Sequence, residues 1–86
     1  MMPFAVRFKK SAVKELHALP REYQQKVWDH LKQAENDPYS LSAKKMKGME
    51  HIYRLRIGVY RLLYHLDANS HVMTILRIDH RKDVYR

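Results

Sequence analysis

Arg54, Arg56 and Arg61 flank a tight-turn signal in the segment Tyr53-Arg54-Leu55-Arg56-Ile57-Gly58-Val59-Tyr60-Arg61. A guanidinium keeps its proton in proteins and presents a planar fork of N–H donors. Three of them together suit one kind of chemistry, which is to grip an anion through paired oxygens and stabilise charge that builds on it. Gly58 can supply the positive φ needed at the first central position of a type II′ turn. With Gly58-Val59 as the loop, Ile57 pairs with Tyr60 and Arg56 with Arg61. Directly opposed like charges cost a hairpin some tenths of a kcal/mol, so this spacing predicts an anion on the arginine face, and phosphate is the best fit. The alternative use of these cations is a solvated basic edge that discourages sheet aggregation. His80, just after the last strand, is favoured for proton transfer because its ordinary pKa, roughly 6.5, suits that work near neutral pH, and His65 shares the basic face as an accessory. Tyr85 lies in a polar terminal segment, where a base could stack on its ring for roughly 1–3 kcal/mol. None of the other five histidines has metal-ligand spacing with an acidic partner, so no metal site is expected.

The elements that must hold these residues follow from periodicity. Phe4, Val6 and Phe8 alternate with Ala5, Arg7 and Lys9, the period of a strand with one buried face. Ser11 reads as the N-cap of a short helix through about Leu19, with Val13 and Leu16 facing inward. Pro20 opens a second helix whose stripe is Tyr23, Val27, Leu31 and Ala34, and Asn36-Asp37-Pro38 ends it. Residues 39–49 read as a connection. Three strands follow near 52–57, 60–66 and 72–78. A three-residue loop at Ala68-Asn69-Ser70 would pair Leu62 with Leu76, Tyr64 with Thr74 and Leu66 with Val72, and would bring Arg77 opposite Arg61. That register sends Val72, Thr74, Leu76 and Ile78 to the core. It leaves Ile52, Leu63, Met73 and Ile75 on the other face, too apolar a set for a purely solvated surface. The pattern predicts one α+β domain over 1–86: an N-terminal strand, a helical hairpin and a three-stranded antiparallel meander.

Composition narrows the class. The chain has no cysteine, which excludes disulfides and thiolate metal sites and fits the cytoplasm. No apolar run reaches the length of a membrane span, and no secretory h-region is present. The net charge is +8, made of +2 in residues 1–43 (seven basic, five acidic) and +6 in residues 44–86 (ten basic, four acidic). Such a balance points to a polyanionic partner, nucleic acid or an acidic protein.

Three segments, Lys45-Met46-Lys47-Gly48, Tyr53-Arg54-Leu55-Arg56 with Tyr60-Arg61-Leu62-Leu63-Tyr64, and His80-Arg81-Lys82-Asp83-Val84-Tyr85-Arg86, together with the element order, resemble the RelE/ParE superfamily of toxin–antitoxin toxins, nearer to its RelE branch. The resemblance implies a RelE-like α+β fold of the microbial-ribonuclease type. It implies an endoribonuclease that cuts messenger RNA in the ribosomal A site, without metal or small-molecule cofactor, and is neutralised by a cognate antitoxin. The family's basic catalytic positions fall on Arg54, Arg56, Arg61 and Arg81, its terminal catalytic or stacking tyrosine on Tyr85, and His80 matches a position that is histidine in some members. On this view Lys44, Lys45, Lys47, Lys9, Lys10 and Arg77 contact RNA or the ribosome. The chain departs from well-known members by carrying arginine rather than lysine at 54 and 56, which argues against a general-base role there. The same resemblance leaves two other functions open: a ParE-like gyrase inhibitor, and a catalytically idle module that binds RNA or antitoxin.

Overall fold

The computed structural model describes residues 3–40 and 43–80. Along the chain run β1 (Ala5–Phe8), α1 (Lys10–Ala18), α2 (Arg21–Asn36), a 3-10 turn (Pro38–Ser40), β2 (Lys44–Lys45), β3 (Ile52–Ile57), β4 (Tyr60–Asp67) and β5 (Val72–His80). The strands form one five-stranded sheet in the order β1-β5-β4-β3-β2. The expected meander is therefore present but extended on both sides. On one side β1 returns to pair parallel with β5, Ala5 against Val72 through Phe8 against Ile75. On the other, the segment read as a plain connection contributes β2, with Lys44 opposite Arg54 and Lys45 opposite Tyr53.

Both helices lie on one face of this sheet. Ala12, Leu16 and Leu19 from the first helix and its exit, and Val27, Leu31 and Ala34 from the second, pack on Leu55, Ile57, Leu62, Tyr64, Leu66, Met73, Ile75 and Ile78. The stripe of α2 is as its spacing predicts. In α1 the residue before the first helical position is Lys9 and not Ser11, and no side chain caps it. Helix α1 buries Ala12 and turns Val13 outward at 37% exposure, a correction to the expected inward Val13. Trp28 is 45% exposed and lies beside Phe8, ring centroids 5.6 Å apart.

The hairpin at Gly58-Val59 has the predicted register, Ile57 with Tyr60 and Arg56 with Arg61. Gly58 adopts φ 62°, and a Cβ there would lie 2.5 Å from Tyr23 Cε1, so the position excludes a side chain for two independent reasons. The next hairpin differs from expectation. Its loop runs from Ala68 to His71, and His71 takes φ 56°. Leu66 pairs with Met73 and Tyr64 with Ile75, after which Leu63 pairs with Arg77 and Leu62 with Ile78. Leu76 is the extra residue of a β-bulge, which reverses the inward and outward alternation of β5. Met73 and Ile75 are thus fully buried, while Val72, Thr74 and Leu76 are only half-buried. Arg77 stands opposite Leu63, not Arg61, and the residue opposite Arg61 is Asp79.

Past Ile75, among the described residues, no strand lies beside the outer edge of β5, because β1 ends at Phe8. The Lys9 amide donates to the Ile75 carbonyl (2.9 Å), and the Ile78 amide then donates to Glu15 Oε1 of α1 (2.9 Å). A helix carboxylate thus satisfies an edge donor that the missing strand would have taken.

Candidate functional site

The face of the sheet turned away from the helices carries the arginines. Strand pleating gives the residues of one row a common face, and three rows can be read across the ladder. Nearest the Gly58 turn the row is Arg56–Arg61–Asp79. The second is Lys44–Arg54–Leu63–Arg77. The third is Ile52–His65–Thr74–Arg7. The charge thus concentrates in the two rows at the turn end, and Ile52, Leu63, Val72 and Leu76 form half-buried apolar ground around it.

Arg61 is 3% exposed, a charged group buried in the middle of the sheet beneath a face that otherwise meets solvent. Burial of a guanidinium is costly unless charge and hydrogen bonds compensate it. Asp79 stands directly across the ladder as a carboxylate at the right place to do so. It also accepts from Arg77, with Nε 2.8 Å from Oδ1 and 2.7 Å from Oδ2. The pair is asymmetric, Arg77 being 60% exposed and Asp79 only 11%. Asp79 was not legible as a site residue, because only the bulge at Leu76 puts it in the arginine row. The other carboxylate on this face, Asp67, is engaged in its own turn. The Ser70 amide and then its side chain, with further help from the Asn69 amide, hold its carboxyl below the usual aspartate range. The amide distances to Oδ1 are 3.2 Å from Ser70 and 3.0 Å from Asn69.

Beside the second row, Lys44, Lys45, Met46, Lys47 and Arg54 line an open cleft of about 330 Å³. It adjoins a larger hollow formed by Lys45 to Glu50. The loop that makes both is pinned to the sheet by the Met46 amide, which donates to the Ile52 carbonyl (2.8 Å). Gly48 at φ 76° and His51 at φ 61° provide its two left-handed bends. Among the described residues no group of three His, Asp or Glu side chains is arranged to hold a metal ion.

A sequence model of the ParE toxin of type II toxin–antitoxin systems matches residues 6–85. Toxin RelG of Mycobacterium tuberculosis is 34% identical over 86 residues, spanning 99% of both chains. The chain belongs to the RelE/ParE toxin superfamily. The archaeal RelE–RelB complex of Pyrococcus horikoshii contains a chain that superposes with TM-score 0.81 at 27% identity, covering 93% of this chain and 97% of that one. The RelBE2 toxin–antitoxin complex of Mycobacterium tuberculosis gives 0.78 at 33% identity, over 92% and 99%.

Within this RelE/ParE toxin the expected site residues divide. Arg54, Arg56, Arg61, Arg77 and Lys44 come together on one face, and Lys45 and Lys47 line the cleft at its margin. His80 is paired with Tyr60, their rings in edge contact at 5.3 Å. The pleat therefore turns it toward the helix side, while its neighbour Asp79 shares the face of Arg61. Lys9 and Lys10, where β1 passes into α1, lie at the opposite margin of the sheet from Lys44. Arg81 and Tyr85 lie outside the described residues.

Proposed function

We propose that this toxin is a ribosome-dependent endoribonuclease that cuts messenger RNA in the ribosomal A site and so stops translation. The observation that carries the reading is the Arg56–Arg61 pair, with Arg54 beside it, on the face without helices. In the reaction the ribose 2′-oxygen attacks the adjacent phosphorus, its proton leaves to a base, and the P–O5′ bond breaks as an acid delivers a proton to the departing 5′-oxygen. The products are a 2′,3′-cyclic phosphate and a free 5′-hydroxyl. Arg56 and Arg61 hold the non-bridging oxygens and stabilise the extra charge of the phosphorane, and Arg54 extends that grip. Guanidinium groups cannot take the 2′ proton. The expected role of His80 in proton transfer is corrected by its place: the pleat turns it to the helix side against Tyr60, so the proton transfers are assigned to Tyr85, with Arg81 assigned to the leaving oxygen. No step of this route calls for a metal.

With so little acid–base equipment among the arginines, the ribosome supplies positioning, and alignment for in-line attack replaces a strong base. Lys44, Lys45, Lys47, Lys9 and Lys10 contact ribosomal RNA phosphates. A cognate antitoxin neutralises the toxin in the cytoplasm, as the RelE–RelB complexes of related proteins support. The ParE name of the matching sequence model favours a second reading, inhibition of gyrase by protein binding without cleavage.

Mapping RNA 5′ ends after adding purified protein to an mRNA, free and on programmed ribosomes, separates the readings. Cuts confined to the A-site codon, lost by at least about 100-fold in Arg56→Ala, are the expected result. No cuts in either sample, with gyrase supercoiling blocked, would replace this reading with the second. No cuts and no effect on gyrase would leave a binding module.

A further inference from the structure

We propose that His51 and His65 form a binding site for a divalent ion of the late first transition series, zinc(II) in the first place, which ties the end of the lysine-rich loop to β4. The site lies at the end of the sheet away from the Gly58 turn, and it does not depend on how the arginine face is read. The two histidines are distant in sequence, and the backbone brings them together. The Leu66 amide donates to the His51 carbonyl (3.0 Å), and Ile52, the residue after His51, pairs with His65 across the ladder. His51 is thus clamped where the loop enters β3. It holds a φ of 61°, a left-handed conformation that is uncommon outside glycine and recurs at ligand sites. Its ring stands 6.2 Å from that of His65, the two planes at 90°. Zn–N bonds of about 2.1 Å in tetrahedral geometry set two imidazole centroids on one ion roughly 5–6 Å apart, so small side-chain rotations close the pair on an ion.

The donor set decides which ions fit. Neutral imidazole suits zinc, copper and nickel, whereas magnesium and calcium seek oxygen ligands. Among the described residues no third His, Asp or Glu completes a cage, so water fills the remaining positions. The surroundings tolerate a cation. The row that contains His65 has one cationic side chain, Arg7, and that stands two strands away on β1. Asp67, the next residue of β4 on this face, is held below the usual aspartate range by the Ser70 amide and side chain, with lesser help from the Asn69 amide and from His65 itself. Its negative charge favours a cation beside His65. The loop gains most from such a staple. Its start is already pinned by the Met46 amide on the Ile52 carbonyl, Gly48 and His51 supply its bends, and Lys47 rides on it at the cleft. An ion held by His51 fixes the other end of the same segment.

The test uses the untagged full chain and the metal ion alone. Zinc(II) is titrated into nitrogen-labelled protein and followed by NMR, with magnesium(II) as the control. A single zinc ion is expected to bind, to shift the ring nitrogens of His51 and His65 and of no other histidine, and to slow amide exchange in residues 47–51. Magnesium should do none of this. His65→Gln and His51→Asn each leave one imidazole and should weaken zinc binding by at least about tenfold. His17→Gln should bind zinc as the parent does. Asparagine tolerates the left-handed bend at 51, and the metal-free spectrum shows whether each variant folds. His65→Gln, which keeps the backbone clamp on His51, carries the test if His51→Asn unfolds. No binding, shifts centred on other histidines, binding that survives substitution of either ligand, or unchanged exchange in the loop would overturn the proposal.

Discussion

At the scale of single residues the sheet buries two polar side chains for different ends. Arg61 is held under the basic face opposite Asp79. Tyr64 is fully buried on the helix side, with its ring stacked on Tyr53 at 5.7 Å and 14°. Its hydroxyl finds no hydrogen-bond partner among the described residues. Burial, with a smaller contribution from Tyr53, pushes its pKa from 10.0 up to about 12. In the unfolded chain the phenol ionises from about pH 10, while the folded chain keeps it neutral until about 12. The unfolded state therefore loses its proton first, and stability falls as pH rises through that window. Tyr64→Phe should flatten this alkaline loss in urea melts collected from pH 8 to 11. At pH 7 it should be as stable as the parent or more so, by up to about 1 kcal/mol, because it removes an unpaired buried hydroxyl. A loss of 2 kcal/mol or more at pH 7 would mean that the hydroxyl has a partner. Asp79 lends itself to a second measurement. Asp79→Asn keeps the shape but leaves Arg61 without the carboxylate across the ladder. It should destabilise the fold by about 1–3 kcal/mol and free Arg77, so that binding of a one-phosphate RNA probe tightens rather than weakens. Weaker binding in this variant would show that Asp79 orients the arginines instead of competing with the ligand.

At the scale of elements, the turn between β3 and β4 sets the whole face, since its two-residue loop fixes which arginine meets which. Gly58→Ala should cost about 1–2 kcal/mol for the left-handed backbone alone and more for the contact with Tyr23. Pairing it with Tyr23→Ala separates the terms. The double variant should be less destabilised than the sum of the singles, by 0.5 kcal/mol or more, because the second substitution removes the clash. Strict additivity would mean that Tyr23 simply moves aside. This hairpin was legible in sequence because everything that determines it is local: one glycine, two alternating runs, and a loop length that admits a single register. Strand β5 was legible as a strand and wrong in register, since a bulge at Leu76 leaves no mark in a run where Val72, Met73, Ile75, Leu76 and Ile78 are all apolar. Strand β2 is two residues long and shows no period. The arginine cluster was therefore readable, and its acidic member Asp79 was not. The apolar residues on the outer face change accordingly from Ile52, Leu63, Met73 and Ile75 to Ile52, Leu63, Val72 and Leu76.

At the scale of the whole molecule, the net charge of +8 is carried mainly by the second half of the chain. The sheet order keeps much of that half together, as the four adjacent strands β5, β4, β3 and β2. Long-range attraction of this kind acts on encounter more than on residence. The association rate with ribosomes should fall by about tenfold or more between 50 and 300 mM salt, while the dissociation rate changes by much less. Stopped-flow fluorescence through Trp28 reports both, and a salt effect confined to dissociation would contradict the steering role. The parallel pairing of β1 with β5 has a consequence for how the protein comes into being. The first strand of the chain has its place beside the last, so a growing chain that has made β1 and both helices still has no neighbour to receive β1. Until residues 72–80 exist, β1 is cut off from the rest of the sheet, Arg61 has no Asp79 across from it, and the two helices have only part of a floor. The chain thus completes its sheet in a late step, when β1 joins β5 and Asp79 arrives beside arginines already set on β3 and β4.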